Sequence, residues 1–460
     1  MRKSSTGHDW VHTEEASTGV ELRDGDHVAV IGGGPAGTFF SYFFLDMAER
    51  AGLEVSVDIY ESRDFSGVGP AACNMCGGII SESLVQHLAT EGIILPSTVV
   101  QRGIDSYVLH MDVGSVRLET PLHEMRIGAV HRASGPRDLE KPTWESFDGF
   151  LLSLACKRGA RLVRERVTGF DIRDGVPGIQ TKSSEYKEYN LIVIATGVNS
   201  RILERCRELL SDYNPPRTTG TYICEYRLGA GVITESLGNS MHVFLQKIPG
   251  LEFAAIIPKG DYASVCLLGD RIDADMVQSF LNSPEVRGCM PNDWRPDDRS
   301  CRCSPLINIG GSPRPFGDRI VFIGDAGVSR LYKDGIGAAY RTAKAAASTA
   351  VFQGVSARDF ERHYLPLCRE LKKDNGIGKL VFTFTKRIKG IGIFRRAIYH
   401  MIEGEQGMAG KSRRMSMVMW DLFSGSAPYR EILLRTFHPA FLVRLFWHTI
   451  HSIMYTSKHG

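Results

Sequence analysis

The stretch HVAVIGGGPAGTFFSYFFLDMAERAGLEVSVDIYESRD, from His27 to Asp64, limits what this chain can fold into more than any other. His27 to Ile31 reads as a buried strand, Thr38 to Ala51 carries apolar residues at helical spacing, and Val55 to Tyr60 reads as a second strand. Strand, glycine turn, helix and strand in that order make a βαβ unit, so the fold class is α/β with a parallel sheet. Within the turn, Gly32 permits the tight bend and Gly34 lets the backbone approach a pyrophosphate. Gly37, beside the small Ala36, lets helix and strand pack closely. The helix N-terminus then faces the phosphates, and Glu61 stands where a carboxylate accepts hydrogen bonds from a ribose. A glycine-rich turn in some other α/β protein is the alternative; the strand–turn–helix–strand setting favours a dinucleotide.

A second glycine motif lies far downstream. Asp318 to Gly337 reads DRIVFIGDAGVSRLYKDGIG and runs into an alanine-rich helix beginning AAYRTAKAAASTA. A strand there ends at Gly324-Asp325, and Gly335, Gly337 and Ala338 open the helix. Between the two motifs, LIVIATGVNSR from Leu191 to Arg201 reads as a buried strand followed by a turn.

The chain has 460 residues, 43% of them hydrophobic, which is enough to bury a large core or two medium ones. Its net charge of +3 conceals an uneven spread. From Lys372 to Gly460 there are 15 Lys and Arg against 5 Asp and Glu, so the remainder is acidic. That tail pairs basic side chains with aromatic and branched ones, as in GIGKLVFTFTKRIKGIGIFRRAIYHMI and HPAFLVRLFWHTIHSIMY. Two readings stay open for it: an amphipathic element on an anionic membrane surface, or a helical cap over the substrate domain. Nucleic acid is not expected, because no stacking platform or recognition motif accompanies the charge. The polar start, residues 1–26, predicts a flexible extension with no secretory leader. Ten mostly scattered cysteines predict reduced thiols and a cytoplasmic protein, peripheral to a membrane at most. The CxxC of Cys73 and Cys76 has no second CxxC or HxxxH partner, so no metal is expected.

The paired motifs resemble the two flavin fingerprints of the large FAD-dependent oxidoreductases with the para-hydroxybenzoate hydroxylase-like fold. They stand in the right order about 290 residues apart. The resemblance implies a Rossmann-type FAD-binding domain, with Asp325 on the ribityl chain and the backbone before Ala338 against the flavin pyrimidine edge. It also implies an interleaved mixed-sheet substrate domain and a helical C-terminal region. The implied boundaries are 27–97, 126–216 and 300–355 for the FAD domain, 98–125 and 217–299 for the sheet domain, and 356–460 for the tail. In LIVIATGVNSR, Thr196 takes the place of the Asp that hydroxylases link to flavin and nicotinamide.

Gly69 to Leu88, GPAACNMCGGIISESLVQHL, resembles the P-x-x-C-G-x-G-L-S segment of the geranylgeranyl reductase family, with Cys76, Gly77 and Ser81 matching. In that family the loop approaches the flavin ring, which implies cofactor contacts for Cys76 and Gly77. A thiol there could deliver a proton beside a reduced flavin, or be a packing residue, or form a redox pair with Cys73. FAAIIPKGDYASVCLLG, from Phe253 to Gly269, resembles the segment lining the reductases' lipid pocket. Phe253, Ala255 and Ile257 replace its aromatics and Pro258 is kept, which implies a pocket of different shape. Arg132 with Phe147-Asp148 resembles the family's R-x-x-F-D-x-x-L element, where the Arg contacts FAD and the Asp caps the helix. Val167 is the kind of position whose backbone amide meets adenine. The implied activity is reduction of carbon–carbon double bonds in a hydrophobic isoprenoid, lipid or quinone-like substrate. The electron donor would be ferredoxin-like or a reduced nicotinamide. A flavin monooxygenase and a non-catalytic flavin redox sensor are the alternatives; no W-x-W-x-I-P halogenase motif is present.

Overall fold

The computed structural model describes residues 20–119, 127–137, 139, 144–296, 300–406, 408 and 412–459. The expected extension therefore falls almost wholly outside the described residues; its last part is anchored, with Leu22 buried and Val20 accepting a hydrogen bond from the Val355 amide.

The βαβ unit forms as the sequence predicts: strand His27–Ile31, helix Pro35–Ala51 and strand Ser56–Tyr60. The helix begins three residues earlier than its apolar spacing suggests, because Pro35 tolerates the first helical position, where no amide donor is needed. It ends at Gly52, whose φ of 70° suits a left-handed cap. A six-stranded sheet grows around this unit. Its order is Phe316–Gly317, Ile320–Phe322, Leu191–Ile194, His27–Ile31, Ser56–Tyr60 and Arg161–Val163. All neighbours are parallel except the first pair. The chain leaves His27–Ile31 toward one side, while Leu191–Ile194 and Ile320–Phe322 fill the other. That reversal opens a crevice at the carboxyl end of His27–Ile31, directly above Gly32.

The second large sheet is mixed and mostly antiparallel. Its core strands are Thr218–Arg227, Tyr262–Gly269, Leu251–Lys259, Ser240–Phe244, Ser106–Met111 and Gly114–Glu119. Cys301–Cys303 and Leu306–Asn308 also pair with Thr218–Arg227. The expected domain boundary at 300 is therefore too early, because backbone pairing keeps these two strands in the sheet domain. One face of the sheet packs on the helix Ala274–Leu281. The other face is covered by the tail: Ile398, Met401, Ile402, Met415, Val418 and Leu422 join Tyr107, Leu109, Met241, Val243 and Ala255 in one apolar core. This is the cap reading of the tail. Among the described residues, no helix is long and apolar enough to cross a membrane.

Candidate active site

The two glycine turns meet. A Cβ on Gly324 would lie 2.8 Å from the Cβ of Ala36, so the turn after Ile320–Phe322 touches the first turn of the helix Pro35–Ala51. Gly32 sits at φ 108°, and a Cβ on it would come within 2.6 Å of the Ala195 carbonyl oxygen. Gly34 caps the helix without a side chain, and no acidic residue occupies the first turn. The amides of this helix end are thus left to face an anion. Glu61 bends back over the turn, accepting from the Gly33 amide at 3.0 Å and the Arg63 amide at 2.8 Å. Each carboxylate oxygen keeps a lone pair for a ribose hydroxyl. The helix Gly335–Phe352 likewise starts with no side-chain cap and no acid in its first turn, and Ala338 is buried there. These uncapped helix ends and Cβ-free approaches fit the pyrophosphate and ring system of FAD.

Arg132 joins the parts. Its Nε and Nη2 donate to the Asp148 carboxylate at 2.6 and 3.0 Å, and both residues are buried. Burial alone would lower the guanidinium pKa, but Asp148, with Cys76 and Cys73 nearby, raises it. Arg132 also acts on Asp325, whose carboxyl is pushed up by burial and held back by Ser329 and Arg132. The expected helix cap is corrected: Ser146, not Asp148, accepts from the Gly149 amide at 3.1 Å, which frees Asp148 in the first turn to face Arg132. Asn74 was not anticipated. It donates to Asp148, accepts from Arg63, and lies 3.1 Å from where a Gly34 Cβ would be.

The loop from Gly69 to Cys76 forms part of the wall of a half-open cleft. Cys73, Cys76 and Arg132 line one side; Glu225, Lys259 and the Cys301–Cys303 strand line the other. Gly77 packs on the substrate sheet, where a Cβ would come within 3.0 Å of Cys266 Sγ and 3.3 Å of Ile257. Burial pushes the Cys73 thiol up to about 11, Arg132 partly opposing it, so it stays protonated at neutral pH. Lys259 Nζ donates to Glu225 at 3.1 Å and Ser264 Oγ donates to the other oxygen at 2.5 Å. Burial would raise the Glu225 carboxyl, but Lys259, His131 and Ser264 together outweigh it and hold it low. Sequence reading gave no role to Glu225, whose place in the cleft is set by strand register, or to His131, which simply precedes Arg132.

Phe253, Ala255 and Ile257 alternate onto the sheet face that the tail covers. Ala255 and Ile257 are buried, and the Phe253 ring lies 6.1 Å from that of Phe423. Pro258, buried next to Lys259, leads into the cleft. Val167 opens the strand Val167–Arg173 and packs with Ile31 and Tyr60, the last residues of two strands of the parallel sheet. Thr196 follows Leu191–Ile194 at the same carboxyl edge.

His131 gives this region a pH signature. Burial, reinforced by Lys259 and opposed by Glu225, lowers it from 6.5 to about 4. Between those values the unfolded chain holds the proton and the folded chain does not. Stability contributed by this site is therefore present above pH 6.5 and falls as the pH drops toward 4. The loss is on the order of 3 kcal/mol, and His131→Gln should flatten the urea midpoint across that window.

No family profile matches the chain. Among solved structures, a geranylgeranyl bacteriochlorophyll reductase-like protein from Thermoplasma acidophilum is 15% identical with a TM-score of 0.62, covering 91% of this chain and 96% of that one. A flavoprotein/dehydrogenase from Cytophaga hutchinsonii is 13% identical with a TM-score of 0.61, covering 93% and 99%. The halogenase PltM in complex with phloroglucinol and FAD is 12% identical with a TM-score of 0.56, covering 95% and 93%. The chain has the fold of the FAD-binding oxidoreductases.

Proposed function

We propose that the chain is an FAD-dependent oxidoreductase that reduces a carbon–carbon double bond in a hydrophobic, isoprenoid or quinone-like substrate. The observation that carries this reading is the convergence of both glycine turns and the Cys76 loop on one crevice, with Arg132 between them. The Gly32–Gly37 turn would hold the pyrophosphate, Glu61 the ribose, and Asp325 with the Gly335–Ala338 helix start the ribityl chain and ring. Bound there, FAD supplies the two electrons of the reduction. The chain's own part is to orient the double bond and to hold a proton at Cys76 Sγ for the second carbon. Arg132 lies close enough to interact electrostatically with Cys76, and solvent would return the proton that the thiol gives up. Lys259 and Glu225 line the same cleft as that thiol and would orient the substrate as a paired cation and carboxylate without adding net charge.

Flavin content tests the reading. The purified protein should be yellow with one FAD per chain, and Glu61→Ala should weaken FAD binding by about 1–3 kcal/mol through loss of a charged acceptor. Folded protein with no FAD affinity would end it.

We also infer a membrane-facing surface for the tail. Although its inner side caps the sheet, Phe437, Val443, Phe446 and Trp447 are each more than 60% exposed. The last three, with Ile453, follow helical spacing along Pro439–His459. This helix carries Arg444, and the preceding helix Tyr429–Thr436 carries the exposed Arg430 and also Arg435, which is paired with Asp421. Wild type should float with anionic liposomes and release with salt, which screens the charge term. Phe446→Ser/Trp447→Ser should stay at the bottom of the gradient while keeping its flavin. Equal flotation of the two would refute the surface. Removing the tail is a poorer test, because it would uncover the apolar sheet face.

A further inference from the structure

Away from the flavin crevice, three metal-binding side chains meet at two inner strands of the substrate sheet. His110 lies on strand Ser106–Met111, His242 on the parallel neighbour Ser240–Phe244, and Cys289 just after the short helix Pro284–Arg287. All three are buried. His110 Nε2 is 2.8 Å from His242 Nδ1, and Cys289 Sγ is 3.3 and 3.5 Å from those two nitrogens. We propose that His110, His242 and Cys289 bind one zinc ion.

The geometry comes close to what zinc needs. Zinc–nitrogen bonds near 2.05 Å and a zinc–sulfur bond near 2.3 Å at tetrahedral angles set N···N at about 3.4 Å and N···S at about 3.6 Å. The two sulfur edges already match within a few tenths of an ångström, and the nitrogen edge must open by about 0.6 Å. The outer contacts support ligation. His242 Nε2 is 3.2 Å from the Leu237 carbonyl, which can only accept, so Nε2 carries the hydrogen and the Nδ1 lone pair faces the cluster. His110 Nδ1 is 2.7 Å from Ser115 Oγ, leaving its Nε2 on the cluster side. A backbone carbonyl or hydroxyl on the far nitrogen is the usual way a metal-bound imidazole is oriented.

Two imidazoles and a thiol favour zinc over magnesium or calcium, which take oxygen ligands. The segment that carries Cys289 is tied down by a further side chain. Gln246 Nε2 donates to Ser283 and Glu285, on the segment leading to Cys289, while its Oε1 is buried without a hydrogen-bond partner. Without metal the trio is a hydrogen-bonded cluster, with Cys289 Sγ 3.1 Å from the Glu285 carbonyl. Binding zinc forms two Zn–N bonds and one Zn–S bond, releases the thiol proton to solvent, and moves the His110 hydrogen to Nδ1. No oxidation or reduction is involved. The ion would fasten the Pro284–Cys289 segment to two strands more than 40 residues away in sequence.

The test uses full-length, flavin-loaded protein dialysed against a chelator and titrated with Co²⁺, then Zn²⁺. One equivalent of Co²⁺ should bring up a sulfur-to-cobalt charge-transfer band in the difference spectrum, and Zn²⁺ should abolish it. Elemental analysis of protein grown with zinc should give one zinc per chain, dropping at least about tenfold in Cys289→Ala and His242→Ala. Cys156→Ala, on another helix, should retain it. If these variants do not fold, the wild-type cobalt spectrum decides alone. Folded, yellow wild type that gives no sulfur–cobalt band, or variants that keep wild-type zinc, would overturn the site.

Discussion

Asp148→Ala should cost the folded protein about 3–5 kcal/mol, because it leaves the Arg132 guanidinium charged in a buried site with its main partner gone. Three further residues sharpen this expectation. Asn74 also loses its acceptor, and Cys76 and Asp325 lose the fixed position of the cation they face. Asp148→Asn keeps one oxygen acceptor and the side-chain shape, so it should be milder. Urea denaturation of the three proteins at neutral pH is the direct measurement. A loss below about 1 kcal/mol for Asp148→Ala would mean that water reaches Arg132 and that the pair is not the hub of the crevice.

Cys76→Ala should leave FAD bound and slow substrate reduction by about 10²–10⁴-fold, the range for loss of a positioned proton donor. The fold should tolerate it, since Cys76 is only half-buried and a smaller side chain removes no backbone contact apart from a long one from the Gly78 amide. Cys73→Ala provides the contrast. Its thiol is held protonated by burial and accepts from the Met75 amide, so it should affect the loop more than the rate. Wild-type turnover in Cys76→Ala on the true substrate would reassign that thiol to packing.

The parallel-sheet half of this molecule was legible in the sequence because steric demands write themselves into residue types. Where a Cβ would come within 2.6 Å of another residue's carbonyl, as at Gly32, only glycine serves, and the spacing of such glycines is visible in one dimension. The rest of the site depends on register, which leaves no local trace. Glu225 and Lys259 meet because Ser264, on the strand between theirs, pairs with Glu225 on one side and Ile257 on the other. The same register carries Cys301 and Cys303 to the cleft of Cys73 and Cys76, although the two pairs are more than 220 residues apart. His110, His242 and Cys289 follow the same logic: a parallel pairing aligns Phe244 with His110 and leaves His242 two residues away on the same face. The tail posed a different difficulty, since one composition had to serve two surfaces. Its inner residues fill the sheet face while its outer aromatics stay in solvent.

The contact between Ala36 and Gly324 sets an order of events during synthesis. The first glycine turn leaves the ribosome early, yet the strand paired beside it, Leu191–Ile194, and the next one beyond, Ile320–Phe322, are translated much later. Until then the nascent chain carries an apolar strand with one bare edge and a phosphate turn lacking its opposite wall. A polypeptide that stalls before the helix Gly335–Phe352 cannot close the crevice, however complete its first βαβ unit. Cofactor capture thus becomes a checkpoint for chain completion: the yellow colour would mark only molecules whose distant segments have been made and threaded home.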